Sequence, residues 1–473
     1  MPEFKNLTVS DFKKLFLGGY DLNDFYSTYL DWLKAADEKI NGFLCLTEKT
    51  VAQSIAEIKT KPKTLPLWGV PVAIKDAILV KSERATSASK ILENFIAPYD
   101  ATVVKKIKAA GGIIVGKTNM DEFAMGSSTE NSAFQKTKNP FDPERIPGGS
   151  SGGSAAVVGA GLVPLSLGSD TGGSIRQPAS FCDVYGLKPT YGAVSRYGLM
   201  AMASSLDQIG PFSRRLEDLT AIFDVIRGAD PKDSTSQTGP VSNQTNLNKI
   251  KKKLKLGLPI ECFDDLDPKI KNLILEKIKS TGLEWVEISL NELAQSLACY
   301  YLIMPAEASA NLARYDGIRY GLSAEADEIW SVYKKSRRLG FGQEVVRRII
   351  LGTFILSHGY YDAYYLKAQK LRQKIFSDFK KALAKVDLIL MPTSPSLPFK
   401  FEEKTSDPLA MYLSDIYTVS ANLAGIPSLN IPVGLIEPPE RTKKLPVGLQ
   451  VIAGLFEENK IFSFAKILED ANR

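Results

Sequence analysis

Apolar residues in the first stretch of the chain, residues 1 to about 60, recur at helical spacing. Leu22, Phe25, Leu30, Trp32 and Leu33 share a rough face, and Val51 to Ile58 keeps the same period. Pro62 and Pro66 end the pattern. Leu67-Trp-Gly-Val-Pro-Val-Ala-Ile74 then has no charged residue and reads as a buried strand ending at Lys75-Asp76. Ala101 to Ala110 reads as a short helix, followed by Gly111-Gly112 and a strand from Ile113 to Gly116. Helix, glycine and strand in succession predict α/β layering. Later strands are bounded by proline or glycine: Leu388-Ile-Leu-Met-Pro392, Leu429-Asn-Ile-Pro432 and Val447 to Gly454. Residues 229–253 are polar without periodicity and predict a surface loop, its Lys249 to Lys255 cluster a solvated face.

Residues 146–206 break the pattern. Asp170, Arg176, Asp183, Lys188 and Arg196 are their only charged side chains, and glycine crowds Gly148 to Gly173. Close packing of strands and helices explains this, and so does a site whose backbone N–H groups face a ligand. The uncharged run Ile146 to Ser169 is not a membrane span, because only Ala155 to Leu167 is apolar. The N-terminus lacks an apolar signal core, so a cytoplasmic chain, or one in an equivalent organelle interior, is expected.

Composition narrows the chemistry. With 44% hydrophobic and 24% charged residues, the 473-residue chain can bury a core, which excludes disorder. A net charge of +6 over this length does not mark a nucleic-acid binder. One histidine, His358, excludes multi-imidazole metal sites and leaves a Ser-His-Asp triad one choice of base. Cys45, Cys182, Cys262 and Cys299 are scattered without a C-x-x-C, against a structural zinc or a disulfide framework. No metal is expected.

Two glycine-serine segments carry the candidate chemistry: Gly148-Gly-Ser-Ser-Gly-Gly-Ser154 and Gly168-Ser-Asp-Thr-Gly-Gly-Ser-Ile-Arg176. The first lacks the G-K-[ST] of a phosphate loop. It contains G-x-S-x-G, but has no strand before it and would need His358 as base. The second places the Ser174 hydroxyl after two residues without side chains, so that successive N–H groups can stabilise an oxyanion. With no histidine to spare, a buried neutral lysine can serve as base, and Lys75 is the candidate. Spacing alone favours a Lys75–Asp76 pair at a strand end.

Val72-Ala-Ile-Lys-Asp76, the two glycine-serine segments extended to Pro178, Phe181 to Thr190 and Ser205-Leu-Asp-Gln-Ile-Gly-Pro211 resemble the amidase signature family. The resemblance implies an α/β amidase-signature fold: a mixed β-sheet core sandwiched between layers of helices, with a smaller inserted region. It implies one domain over 1–473: a helical part to about residue 60, a signature core over about 65–225, the 229–253 loop, and the remaining sheet, helices and substrate pocket over 254–473. It assigns Ser174 as nucleophile, Ser150 as a bridging serine after a cis peptide bond, and Lys75 as base. Thr171, Gly172, Gly173 and Ser174 would supply the oxyanion N–H groups.

Within the family, Glu307 to Gly321, Gly340 to Phe354, Gly359 to Tyr365 and Asp407 to Tyr412 resemble the glutaminase subunits of tRNA-dependent amidotransferases, which hydrolyse free glutamine. That implies ammonia supplied for converting Glu-tRNA(Gln), or Asp-tRNA(Asn), within a heterotrimer with subunits B and C. No cofactor is implied for this chain; ATP and Mg²⁺ belong to the partner subunit. Glutamine needs a cation for its α-carboxylate and an anion for its α-ammonium. The resemblance assigns these to Arg348 and Asp415, places Tyr300 or Tyr301 along the pocket and puts Met125 near the amide. The alternatives are a stand-alone amidase for small carboxylic amides, a non-catalytic scaffold subunit and a His358 hydrolase.

Overall fold

The computed structural model describes residues 4–239, 253–438, 440 and 443–472. The expected helical start contains two helices, Val9–Leu17 and Leu22–Asp37, then a short strand, β1 (Phe43–Leu46), and a third helix, Glu48–Ile58. Thr8 caps the first helix in a reciprocal box with Asp11, and Asp21 caps the second. The face read as Leu22, Phe25 and Leu33 is completed by Tyr26 and Tyr29, both buried, while Leu30 and Trp32 are only partly covered. These rings pack edge to face with Phe12 and Phe16. The Tyr26 hydroxyl donates to Gly69 O (2.8 Å) and Tyr29 to Leu162 O, which ties this layer to the turns leading into the sheet.

Among the described residues the sheet has eleven strands. After β1 come β2 (Pro71–Lys75), β3 (Ile113–Thr118), β4 (Leu165–Asp170), β5 (Tyr185–Lys188) and β6 (Gln208–Ser213). The C-terminal half adds β7 (Leu256–Pro259), β8 (Trp285–Ile288), β9 (Leu388–Pro392), β10 (Ser428–Ile436) and β11 (Leu445–Ile452). Their spatial order is β1-β3-β2-β4-β6-β5-β10-β11-β9-β7-β8. Pairing is mixed: β3, β2 and β4 run parallel, as do β9, β7 and β8, and antiparallel pairs join the two groups. Every residue of β2, β3, β4, β6 and β11 is buried, so both faces of the central sheet are covered. Strands from before residue 225 and after residue 254 share this one sheet.

The strand expected over 67–74 begins only at Pro71; Leu67 to Val70 form a turn around Gly69, at φ +75°. Of the polar 229–253 stretch, residues 240–252 lie outside the described residues, and so does most of its lysine cluster. The part before it is pinned: Asp230 accepts from the Ser195 hydroxyl (2.7 Å) and Asp233 from Arg196 N (2.8 Å). Among the described residues no helix is long and apolar enough to cross a membrane.

Candidate functional site

Three segments converge at the carboxyl ends of the parallel strands, where open α/β sheets place their ligands. Lys75 is the last residue of β2, Asp170 the last of β4, and the loop Pro147–Ser151 runs into the helix Gly152–Gly159 beside them. The Gly149–Ser150 peptide bond is cis. Lys75 is fully buried, and its Nζ lies 2.8 Å from Ser150 Oγ, 2.8 Å from Ser151 Oγ and 3.4 Å from Ser169 O. The alternative strand-end pair is absent: Asp76 turns instead to Lys117 (3.2 Å) and to Thr86. Burial pulls the Lys75 ammonium down to about 7, against the opposing pull of Asp121, Asp170 and Asp207. A lysine near neutrality in contact with a serine hydroxyl can accept a proton from it at ordinary pH.

From residue 161 to residue 182 every residue is buried except Ser174, which is half-buried. The backbone around it is held by Asp170, whose carboxylate accepts from Gly173 N (2.9 Å) and Ile175 N (3.0 Å). Arg176 clamps the same carboxylate through Nε (3.1 Å) and Nη2 (2.9 Å), with both side chains fully buried. Burial alone would raise the Asp170 carboxyl; Arg176 outweighs it and holds the group well below the usual carboxylate range. The Gly173 N–H of the expected oxyanion turn is thus engaged by Asp170 in this structure. Thr171 donates its hydroxyl to Asp207 (2.7 Å), and the Thr418 hydroxyl donates to Gly172 O (2.6 Å).

The residues expected to line the pocket come from distant segments. Tyr300 and Tyr301, adjacent in the helix Ser296–Asn311, meet edge to face with ring centroids 5.1 Å apart and face different neighbours. The Tyr300 ring lies over Gly172, where a Cβ would sit 2.6 Å from its Cζ. Tyr301 stacks on Tyr412 with centroids 4.0 Å apart. Arg348 is buried in the helix Gln343–Ile355, its guanidinium 5.6 Å from the Tyr301 ring centre and 5.5 Å from that of Tyr412. Its neighbour Arg347 is exposed. Glu344 accepts from Arg348 Nε (2.8 Å), from Arg347 and from the Tyr412 hydroxyl (3.1 Å).

Asp415 is buried and accepts from Ser127 Oγ (2.7 Å). Burial pushes its carboxyl up to about 7, opposed by the Ser127 bond and by Arg348. Met125 is fully buried in the segment that also supplies Ser127. Gln177 joins this segment to the cis-serine loop, donating to Ser127 O (2.9 Å) and accepting from Gly149 N (3.0 Å).

Several of these residues were not singled out in the sequence. Ser151 sits beside Ser150 in the same motif, and its contact with Lys75 was legible only as proximity. Asp121 lies in the segment leading to Met125. Its carboxylate accepts from Thr129 N (2.9 Å) and Asn131 N (3.1 Å), its own N–H donates to Ser150 O (3.2 Å), and burial pushes it up to about 6. Glu344 and Tyr412 lie inside stretches that carry the resemblance but were given no role, and Ser127 and Thr418 were not singled out. His358 lies in an exposed turn just after the helix Gln343–Ile355 and takes no part in this cluster.

Residues 24–462 match the sequence profile of the family described as Amidase. The A subunit of the glutamyl-tRNA(Gln) amidotransferase of Sulfurihydrogenibium sp. (strain YO3AOP1) is 56% identical over 420 residues, 87% of this chain and 85% of that one. Its counterpart from Alkaliphilus metalliredigens (strain QYMF) is 50% identical over 479 residues, covering 99% and 96% of the two chains. The crystal structure of the Thermotoga maritima counterpart superposes with a TM-score of 0.81 at 41% identity, covering 99% of this chain and 96% of that one.

Proposed function

The chain belongs to the amidase signature family, and from that premise we propose that it is the glutaminase (A) subunit of a tRNA-dependent amidotransferase. The observation that carries the chemistry is the buried Lys75–Ser150 contact of 2.8 Å beside the half-buried Ser174. The names of the relatives carry the choice of substrate.

Glutamine enters with its side-chain amide at Ser174. Its α-carboxylate meets the Arg348 guanidinium, whose Nε is already held by Glu344, and its α-ammonium meets Asp415. Neutral Lys75 draws a proton through the Ser150 hydroxyl while Ser174 Oγ attacks the amide carbon. Negative charge develops on the carbonyl oxygen, which faces the N–H groups of the Thr171–Ser174 turn. The proton returns through Ser150 to the leaving nitrogen, and ammonia departs. Water then cleaves the acyl-enzyme by the same relay in reverse. Met125 and Tyr300 line the amide end, with Tyr301 behind the Arg348 clamp.

The ammonia serves a second subunit that activates Glu-tRNA(Gln), or Asp-tRNA(Asn), with ATP and Mg²⁺; subunits B and C complete the assembly. This chain uses no cofactor of its own and works in the cytoplasm or an equivalent organelle interior. The test is ammonia release from glutamine by the purified chain with its co-purifying partners. Serine-dependent release is expected, abolished in Ser174→Ala. Serine-dependent cleavage of small neutral amides without release from glutamine would move the function to a stand-alone amidase.

A further inference from the structure

We propose that the groove on the outer face of the helix Gln343–Ile355 seats an acidic amphipathic helix supplied by another member of the assembly, an inference that rests on the multisubunit reading above. The helix has two faces. Val345, Arg348, Gly352 and Ile355 recur at helical spacing and are buried. Gly352 crosses the helix Ser296–Asn311 so closely that a Cβ would meet Pro305 O at 1.8 Å. On the opposite face Val346, Ile350 and Phe354 are exposed, Ile350 by 65%. A monomer does not gain from an aliphatic row in water, and such patches mark interaction sites.

The row forms one wall of a groove of about 980 Å³, and the helix Ile329–Gly340 and Phe341 form the other. Its charged lining is Arg337, Arg338 and Arg347, of which Arg347 is paired with Glu344. Arg337 is fixed by bonds to Leu312 O (2.9 Å) and Tyr315 O (3.0 Å) and lies over the Phe341 ring, so the basic rim is built and not merely present. Lys334 and Lys335 extend the same helix with positive charge.

An aliphatic floor with a basic rim selects its occupant. Apolar side chains at i, i+3, i+4 and i+7 fill such a groove, and carboxylates flanking them meet the arginines. A second copy of this chain would bring the same positive charges and be repelled. A nucleic acid would use the arginines and the one exposed ring, Phe354, but leave Val346 and Ile350 uncovered. An acidic amphipathic helix satisfies both features.

The test uses the full chain, free and assembled with its co-expressed partner subunits. Hydrogen exchange of residues 337–354 is expected to slow on assembly. Arg338→Glu and Ile350→Glu, both at exposed positions, should each weaken assembly by about tenfold or more, as central interface residues do. Their melting temperatures and Ser174-dependent hydrolysis should stay at the wild-type level. A Glu→Lys change in the partner helix that becomes protected should restore binding to Arg338→Glu. Normal assembly with unchanged exchange over 337–354 overturns the groove assignment alone. Protection in the free chain at dimer mass would give the groove to a second copy, and protection by tRNA alone would give it to a nucleic acid; either overturns the proposal. A chain that cleaves glutamine yet assembles with nothing overturns the multisubunit reading instead.

Discussion

The cluster around Lys75 and the pocket around Arg348 are built in opposite ways. The first is made of strand ends and tight loops from three stretches of sequence, with every member buried except Ser174. The second is made of helix faces and a turn separated by more than a hundred residues, from Tyr300 to Asp415, and its main helix turns an uncovered face outward. In the cluster, polar groups are held by backbone: Asp170 and Asp121 each accept two main-chain N–H bonds. In the pocket, side chains hold side chains, as Glu344 and Tyr412 hold Arg348. The lesson is a division of labour. Backbone-anchored groups fix the bond-making geometry, and a side-chain network sets which molecule is presented to it.

The largest effect belongs to the cluster. Ser174→Ala should lower glutamine hydrolysis by about 10⁴-fold or more, as loss of a nucleophile does elsewhere. Ammonia release within tenfold of wild type would break the comparison at its root. Lys75→Ala should cost about 10²- to 10⁴-fold, the usual range for a general base. The pH profile of the wild-type chain sharpens the contrast. Lys75 acts in its neutral form and sits at about 7, so the rate on any amide should fall as pH drops below 7. Asp415 binds ammonium in its charged form and also sits at about 7, so the glutamine KM should rise below pH 7 while that of a neutral amide stays flat.

Arg348→Ala should raise the glutamine KM by about 10²-fold, the worth of a lost bidentate ionic contact, and leave a small neutral amide nearly unaffected. Equal effects on both substrates would move Arg348 from selection to structure. The smallest change expected is in Tyr412→Phe, which deletes one hydrogen bond to Glu344 and should raise the glutamine KM only about threefold.

The same division decides what could be read beforehand. Lys75, Ser150 and Ser174 stand in unbroken motifs, because loops that wrap a buried group constrain every position along them. Arg348 and Asp415 were legible only through resemblance, and Glu344 and Tyr412 lay in the same resembling stretches with no role assigned. A helix presents one residue in three or four to the pocket, so its contribution leaves no contiguous signature. The adjacent pair Arg347 and Arg348 shows this: one is exposed, the other buried, and only helix orientation separates them. Strand β1 escaped for a different reason: four residues, Phe43–Leu46, carry too few alternations to stand out between two helices. The Gly173–Asp170 bond was not legible either: a glycine pair suggests an open nest, whereas the Asp170 carboxylate that fills part of it sits only three residues upstream.

The burial profile around Ser174 has a practical consequence. In a stretch where every neighbour from 161 to 182 is sealed, one hydroxyl reaches the surface in part. A small acylating or sulfonylating electrophile therefore meets a single aperture, and the neighbouring serines at 150, 151 and 169 are shielded from it by their own packing. Labelling stoichiometry becomes a direct count of competent sites, and protection by glutamine a measure of occupancy. Selectivity in such a reagent would be set by the rim of the aperture rather than by the reactivity of its warhead.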